Sequence, residues 1–481
     1  MERRKVLRLF FVSSLGAVIS PKLSFAQFNQ LEKLDFSSLD FGTDFKWGVA
    51  TAAYQIEGAH TIDGKSPSIW DTFSHKKGSI KTGENGDIAC DFYHSYEKDL
   101  DLLKSLNMTV FRFSIAWSRI LPNGSGTPNQ SGLDFYHRVI DACLSRGIEP
   151  WITLYHWDLP QILQDKGGWK NRDAVVWFSE YANLLTKTYG EKVKNWMVFN
   201  EPSAFTALGY LIGYHAPGLK GLKNYLPTVH HVCLSQAEGG RIIRKNVANA
   251  NIGTTFSCSH VDVFKSEERD GNAASRWDVL LNRLFIEPAL GMGYPTESLP
   301  ILRKLNKYIQ PGDLEKLQFD FDFIGVQNYT REVVKENAFI PYMKGLEIKP
   351  VKRGAMEITE MGWEVYPEGI YKILKQFAAY PGVKKIFVTE NGCAFPDEVI
   401  NGKVNDTKRI DFYQRYLKEV LRAKKDGVNI GGYFSWTLLD NFEWSEGFKP
   451  RFGLVHVDFK TQKRIIKESG YWFKDFLGNT D

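Results

Sequence analysis

The chain has 481 residues, of which 43% are hydrophobic and 24% charged, a composition typical of a globular protein. Its length allows one large domain or several small ones. A predicted leader over residues 1–26 carries five basic residues and one acidic residue, so 56 basic and 55 acidic residues remain after its removal. This nearly equal number of basic and acidic residues argues against nucleic acid or an anionic membrane surface as a partner.

The first segment of the chain has the pattern of an export signal. Arg3 and Arg4 precede an apolar run from Leu9 to Ile19, which the small-x-small sequence Ser24–Ala26 follows. Adjacent arginines before such a run resemble a bacterial twin-arginine signal and predict a periplasmic location. The run is short for a bilayer span, so we expect no stable membrane insertion. Residues 27–43 are predicted to be a lead-in to the folded domain.

Apolar runs that end in polar or aromatic residues recur from residue 45 onward. They are Lys46–Ala52, Val110–Ser114, Pro150–Leu154, Trp196–Phe199, Ile252–Phe256, Phe323–Val326, Ile386–Thr389 and Gly431–Ser435. Strands buried on both faces have this apolar character. Segments with apolar residues at helical spacing separate them, at Tyr96–Leu106, Leu133–Arg146, Val175–Tyr189, Val229–Lys245, Gly369–Phe377 and Ile410–Lys425.

Eight strands that alternate with helices predict an α/β fold, a (β/α)8 TIM barrel in a single domain over residues 44–478. A doubly wound open sheet is the alternative, but no Gly-x-Gly-x-x-Gly motif follows a strand. The segment from Thr330 to Pro367 has weak periodicity and contains Gly and Pro, so it is predicted to be an extended loop over the barrel mouth. The five cysteines are widely spaced and predict neither a disulfide framework nor a zinc site.

Two of the predicted strands end in a glutamate at matching positions. Glu201 follows the sequence W-M-V-F-N, and Glu390 follows I-F-V-T. A lone glutamate at such a place is more often a helix cap or a solvated charge. In a barrel, however, catalytic residues lie at the C-terminal ends of strands. A pair of carboxyl groups there suits glycoside hydrolysis, in which one protonates the leaving oxygen and the other attacks or stabilises the sugar cation.

Other strand ends carry amide, imidazole, carboxylate and aromatic side chains. Such groups can hydrogen-bond sugar hydroxyls or lie against the apolar face of a sugar ring. Taken singly, each has an ordinary structural interpretation as a core or salt-bridge residue. Together they predict a pocket formed by Gln55, Arg112, His156, Asn200, Gln327, Tyr329, Trp436, Glu443 and Trp444.

Motifs along nearly the whole predicted domain, from Phe45 to Phe476, resemble those of the β-glucosidases of glycoside hydrolase family 1. They include F-K-W-G-V-A-T-A-A-Y-Q-I-E-G, F-R-F-S-I-A-W-S-R-I, Y-H-W-D-L-P, V-F-N-E-P, V-T-E-N-G and L-L-D-N-F-E-W. The resemblance implies a retaining exo-β-glucosidase without cofactor or metal. Its expected substrates are small β-glucosides and oligosaccharides cleaved at the non-reducing end.

The resemblance also implies individual roles. Glu201 would be the general acid/base and Glu390 the nucleophile, with Arg112 keeping Glu390 ionised and Tyr329 donating a hydrogen bond to it. Gln327 occupies the position of an asparagine in the family. The residues expected to bind the substrate are Gln55, His156, Asn200, Gln327, Trp436, Glu443 and Trp444, with Trp363 on the aglycone side.

Glu443 bears on which sugar is bound. Relatives that act on 6-phosphorylated sugars lack this glutamate, because a carboxylate would repel phosphate, so its presence here favours a neutral sugar. Specificity for β-galactosides or β-fucosides on the same fold is one alternative. A non-catalytic sugar-binding relative is another, and the presence of both Glu201 and Glu390 argues against it.

Overall fold

The computed structural model describes residues 34–478, so the predicted leader lies outside the described residues. Eight parallel strands in this range close into a barrel in the order β1-β8-β7-β6-β5-β4-β3-β2. The strands are β1 (Lys46–Ala50), β2 (Val110–Ser114), β3 (Glu149–Tyr155), β4 (Asn195–Asn200), β5 (Asn251–Ser257), β6 (Phe323–Gln327), β7 (Ile386–Asn391) and β8 (Ile430–Trp436). All eight predicted strands and the predicted (β/α)8 barrel are confirmed.

Helices lie between successive barrel strands, and one more follows β8. The longer ones are Phe92–Ser105, Gln130–Ser145, Ala174–Tyr189, Leu222–Asn246, Glu267–Asp278, Glu368–Ala378, Thr407–Lys425 and Glu468–Gly478. Shorter α-helices are Ala53–Ile56, Ile69–Ser74, Trp117–Ile120, Gln161–Asp165, Pro202–Thr206, Ile286–Ala289 and Asp313–Lys316. The six predicted helical segments are confirmed. Glu267–Asp278 was not predicted, because its polar sequence E-E-R-D-G-N gives no apolar stripe.

Aromatic side chains fill the barrel interior. The Trp151 ring of β3 contacts Phe323 of β6, Phe387 of β7 and Phe434 of β8, with ring centroids 5.4, 4.8 and 5.1 Å away. Edge contacts at these distances are favourable for aromatic pairs. The layer makes the barrel a packed core, so polar side chains that face inward collect above it, at the C-terminal ends of the strands.

The segment from Thr330 to Pro367 is not simply an extended loop, and that prediction is corrected. It contains the strands Arg331–Glu336 and Gly345–Glu347, which form a three-stranded sheet with His260–Val263. We call this the loop sheet. Its third strand comes from the connection after β5, and such a non-local pairing leaves no local periodicity to recognise. Two residues of the sheet, Glu332 and Glu347, line the main cavity at the open end of the barrel.

The described part of the lead-in packs against the barrel. Residues Ser38–Phe41 form a short 3-10 helix, and the buried Phe41 ring contacts Phe45 and Trp47 at centroid distances of 4.9 and 5.0 Å. This cluster lies where β1 begins, and Trp47 also contacts Phe476 of the last helix at a centroid distance of 5.5 Å. Among residues 34–478, no helix has the length and apolar character needed to cross a bilayer.

Candidate active site

Both candidate glutamates lie where strand pairing becomes irregular. The register between β4 and β5 shifts just before Asn200, and that between β7 and β6 shifts just before Glu390. Bulges of this kind redirect side chains and are common beside active sites. Glu201 follows β4 with φ of 48°, a left-handed conformation that is uncommon for residues with a Cβ, and Pro202 then begins a helix. Both glutamates line the same cavity.

Glu390 is surrounded by hydrogen-bond donors. Arg112 Nη1 lies 2.5 Å from its Oε1, Gln327 Nε2 donates to the same oxygen at 2.8 Å, and the Tyr329 hydroxyl donates to Oε2 at 2.7 Å. Burial raises the pKa of Glu390, whereas the Arg112 charge and the Tyr329 hydrogen bond oppose that rise. Donors and an adjacent cation all favour the ionised form, so Glu390 is suited to be the carboxylate of the pair.

Glu201 has an environment that favours the protonated form. Burial and the charge of Glu390 raise its pKa well above the usual range, and a hydrogen bond with Ser257 opposes this only in part. Two nearby carboxyl groups cannot both ionise readily in a buried site. The proton therefore resides on Glu201, while Glu390 keeps its charge.

Beneath the two glutamates, Asn200 joins several strands. Its Oδ1 accepts hydrogen bonds from Arg112 and, at 2.8 Å, from Gln327 Nε2. With Oδ1 so fixed, the Nδ2 group donates to His156 Nε2 at 2.9 Å. Burial and the Arg112 charge lower the pKa of His156 well below its usual value. His156 is therefore neutral, with its proton on Nδ1, which has no partner among the described residues.

One end of the cavity carries the groups predicted to hold the sugar. Gln55 Nε2 donates to the Phe442 carbonyl at 2.8 Å and lies 3.3 Å from Glu443 Oε2, while its Oε1 is buried without a partner among the described residues. Burial, with the charges of Glu390 and Glu446, raises the pKa of Glu443 to about 8. An amide oxygen and a carboxyl group of this kind can bind adjacent hydroxyls.

The structure brings all twelve predicted site residues into one region. Those that line the cavity are His156, Glu201, Tyr329, Trp363, Glu390, Trp436, Glu443 and Trp444. The other four, Gln55, Arg112, Asn200 and Gln327, lie behind the wall, and each has a hydrogen bond with another residue of the site. Their roles toward a substrate remain predictions. Gln327 in particular contacts Glu390 directly, as a residue that positions the nucleophile would.

Three residues of the site were not predicted. The Thr255 hydroxyl lies 3.1 Å from both Asn200 Oδ1 and Gln327 Nε2, Ser257 hydrogen-bonds Glu201, and Trp157 Nε1 donates to the Asn200 carbonyl at 2.9 Å. None of the twelve predicted site residues comes from the fifth strand. Thr255 and Ser257 lie two positions apart, so both face the same side of the strand, and this spacing is the indication that the sequence offers.

The site gives no indication of a metal centre. Within residues 34–478, no group of three or more His, Cys, Asp or Glu side chains is arranged to hold a metal ion. The five cysteines are buried thiols rather than disulfides. The chemistry open to these residues is proton donation and nucleophilic attack by the two glutamates on a bond held between them.

Comparisons with known proteins agree with this geometry. The sequence model described as glycosyl hydrolase family 1 matches residues 37–481. Beta-glucosidase A of Acetivibrio thermocellus is 44% identical over 92% of this chain and 99% of its own length. A 1,4-beta-D-glucan glucohydrolase of Thermotoga neapolitana is 43% identical over 91% of this chain and 98% of its own. The solved family 1 b-glucosidase of Thermotoga maritima has a TM-score of 0.87 at 41% identity, covering 91% of this chain and 98% of that one.

Proposed function

Because this chain belongs to glycosyl hydrolase family 1, we propose that it is a retaining exo-β-glucosidase that releases glucose from the non-reducing end of β-glucosides and short oligosaccharides. The observation that carries the proposal is the unequal environment of the two glutamates. Glu390 receives donors from Arg112, Gln327 and Tyr329, whereas burial beside a charge favours the protonated form of Glu201. Double displacement needs one carboxylate and one carboxylic acid in these states.

In the first step, the Glu390 carboxylate attacks the anomeric carbon as the bond to the aglycone oxygen breaks. Glu201 transfers its proton to that oxygen, so the aglycone leaves as a neutral alcohol or phenol and Glu390 becomes an ester of the sugar. In the second step, Glu201, now a carboxylate, takes a proton from water. The water oxygen attacks the anomeric carbon and the ester bond to Glu390 breaks, which regenerates both side chains. Two inversions retain the β configuration.

The sugar end of the cavity supports a neutral hexose. Gln55 and Glu443 offer an amide oxygen and a carboxyl group to neighbouring hydroxyls, and the Trp444 and Trp157 rings, which pack at a centroid distance of 4.5 Å, line the same cavity. A phosphate placed beside Glu443 and Glu390 would be repelled once these groups carry charge. We therefore propose glucosides over 6-phosphoglucosides, with β-galactosides and β-fucosides as the substrates to compare.

The test is hydrolysis of 4-nitrophenyl β-D-glucoside by the wild type and by two matched variants, Glu390→Gly and Glu201→Gly, each with and without azide. Wild-type turnover should collapse in Glu390→Gly, and azide should restore it by entering from the face that Glu390 occupied, which gives the α-glucosyl azide. In Glu201→Gly, azide should intercept the ester on Glu390 from the opposite face and give the β-glucosyl azide.

The two product configurations separate the roles of the two glutamates. The same azide product from both variants, or an α-configured sugar from the wild type, would contradict the assignment. A wild type that binds glucose-like ligands but hydrolyses none of the gluco, galacto and fuco substrates would instead support the sugar-binding alternative. Parallel assays of the three nitrophenyl glycosides measure the preference among sugars.

We also propose export to the periplasm through the twin-arginine pattern of residues 3–4, which lies outside the described residues. The support is the sequence pattern alone: paired arginines, an apolar run and a small-residue cleavage site. Fractionation of bacterial cells that produce the full chain and an Arg3→Lys, Arg4→Lys variant tests it. Mature enzyme in the periplasm for the wild type and retained precursor for the variant are expected, whereas equal distribution would contradict the proposal.

A further inference from the structure

The part of the cavity beyond the catalytic pair is bordered by two glutamates of the loop sheet. In that sheet, Val334 pairs with Glu347 across an antiparallel register. Residues directly opposite share a face, and Glu332 is two positions from Val334, so Glu332 and Glu347 are diagonal neighbours on one face. Both line the same cavity as Glu201 and Glu390.

Two arginines in or near the loop sheet form ion pairs with carboxylates other than Glu332 and Glu347. Arg331 pairs with Asp262 and Glu364 at 2.8 Å, and Arg353 pairs with Glu364 at 2.6 Å. In the part of the chain that the structure describes, neither Glu332 nor Glu347 forms an ion pair of its own. Burial and the charge of Glu347 raise the pKa of Glu332, while Arg353 and Lys349 act in the opposite direction. Among the described residues, the two carboxyl groups thus have no cationic side chain in direct contact, although buried carboxylates are usually paired with one.

Any net charge that the side chains of the cavity wall carry is negative. Six glutamates line it, Glu201, Glu332, Glu347, Glu390, Glu443 and Glu446, and among residues 34–478 the wall includes no lysine or arginine. The two histidines of the wall do not compensate, because burial lowers the pKa of His215 to about 3 and that of His156 well below its usual value. A cleft bordered by one sign of charge repels ligands of the same sign.

Aromatic side chains would direct an aglycone toward the loop-sheet glutamates. The Trp363 ring lies 5.4 Å from the ring of Tyr329, the residue that bonds Glu390, and both rings line the cavity. An aglycone ring that packs on Trp363 lies beyond the catalytic pair. From there it extends along the part of the cavity wall that Glu332 and Glu347 form. Its distal substituent is then the part nearest to these carboxyl groups.

We infer that Glu332 and Glu347 select the aglycone by charge, favouring a positively charged aglycone and disfavouring an anionic one. This inference rests on the proposed function, because it concerns the leaving group of that reaction. It goes further by naming the chemical class of the aglycone and the two residues that discriminate. An ammonium group would supply the direct cation that the pair lacks and favour ionisation of both carboxyl groups, whereas a carboxylate would be repelled by the negative charge that the pair shares.

The test compares kcat/KM for two phenyl β-D-glucosides that differ only at the para position, aminomethyl in one and carboxylate in the other. The wild type, Glu332→Gln, Glu347→Gln and the double variant are assayed at low ionic strength and pH 6.5. The cation-to-anion ratio is kcat/KM for the aminomethyl substrate divided by kcat/KM for the carboxylate substrate. When this ratio for a variant is divided by that for the wild type, differences in intrinsic leaving-group reactivity cancel. Glu336→Gln is the matched control, since it removes the same charge from the same strand outside the cavity.

We expect the cation-to-anion ratio to fall by about tenfold in the double variant, to fall part of the way on addition of salt to the wild type, and to stay unchanged in Glu336→Gln. Turnover of a para-hydroxymethyl substrate confirms that each variant is folded. An unchanged ratio in an active double variant would overturn the inference and leave the proposed function standing. A wild type inactive on all the glucosides would overturn both.

Discussion

Removal of the Tyr329 hydroxyl isolates the effect of one hydrogen-bond donor to Glu390, the proposed nucleophile. In Tyr329→Phe, Glu390 Oε2 loses a hydrogen bond of 2.7 Å, while Arg112 and Gln327 still contact Oε1. A hydrogen bond to a charged group contributes about 1.5–3 kcal/mol, and one pKa unit corresponds to about 1.4 kcal/mol. The pKa of Glu390 should therefore rise by about 1–2 units, toward the lower value because water can enter from the cavity.

The pH dependence of kcat/KM reports this shift. The nucleophile acts as a carboxylate, so activity is lost as the pH falls through the pKa of Glu390, and a higher pKa moves the acidic limb to higher pH. The plateau should also fall by about tenfold to a hundredfold. Tyr371→Phe is the control, because its hydroxyl bonds Asp426 at 2.8 Å on the surface. An acidic limb that stays in place or moves to lower pH in Tyr329→Phe would refute the assignment of this donor to the nucleophile.

Three further changes test other parts of the structure. Glu201→Gln should abolish the alkaline limb of the kcat/KM profile, because that limb records loss of the acid's proton. The variant should lose least activity on substrates whose leaving group is the most acidic phenol. An alkaline limb that persists on dinitrophenyl glucoside would contradict this. Thr255→Val should lower kcat by about tenfold with little change in KM, since the buried hydroxyl bonds both amides beneath the nucleophile. Lys467→Met should lower the free energy of unfolding by about 3–5 kcal/mol in urea denaturation, because Lys467 is fully buried against Asp440 at 2.6 Å. The surface lysine variant Lys418→Met should cost less than about 1 kcal/mol, and equal losses would contradict the argument.

The barrel strands could be predicted because their physical environment leaves a direct trace in the sequence. A strand buried on both faces needs apolar residues throughout, and β4 and β7 are buried at every position. The loop sheet leaves no such trace. Arg331–Glu336 has the sequence R-E-V-V-K-E, is only partly buried, and pairs with a segment from a different connection. The residue pattern of one segment cannot reveal that it pairs with a segment far away in the sequence. The sequence therefore predicts a loop here.

The same limit applies within the site. Both catalytic candidates were predictable because each ends an apolar run, and a pair of such glutamates indicates a chemistry. Thr255 and Ser257 lie inside a strand, and a hydroxyl residue there is not by itself a sign of function. Threonine in particular is common in strands because its branched side chain packs well there. Only the register Asn200 to Thr255 and the bulge before it show that they face the catalytic pair. Their contribution therefore depends on strand geometry rather than on residue type.

The division of labour between the two glutamates follows from which strands the barrel brings together. Arg112 starts on β2 and reaches across the interior to Glu390 on β7, while its other nitrogens bond Asn200 beside Glu201 and Thr153 on β3. A planar guanidinium can make these contacts at once because its donors diverge in one fixed plane, which an ammonium cannot reproduce. The same side chain thus places its charge against Glu390 and holds the side chain of Asn200, the residue next to Glu201. In the proposed mechanism, glutamate serves as the nucleophile at one strand end and as the acid at another because only Glu390 receives that charge directly.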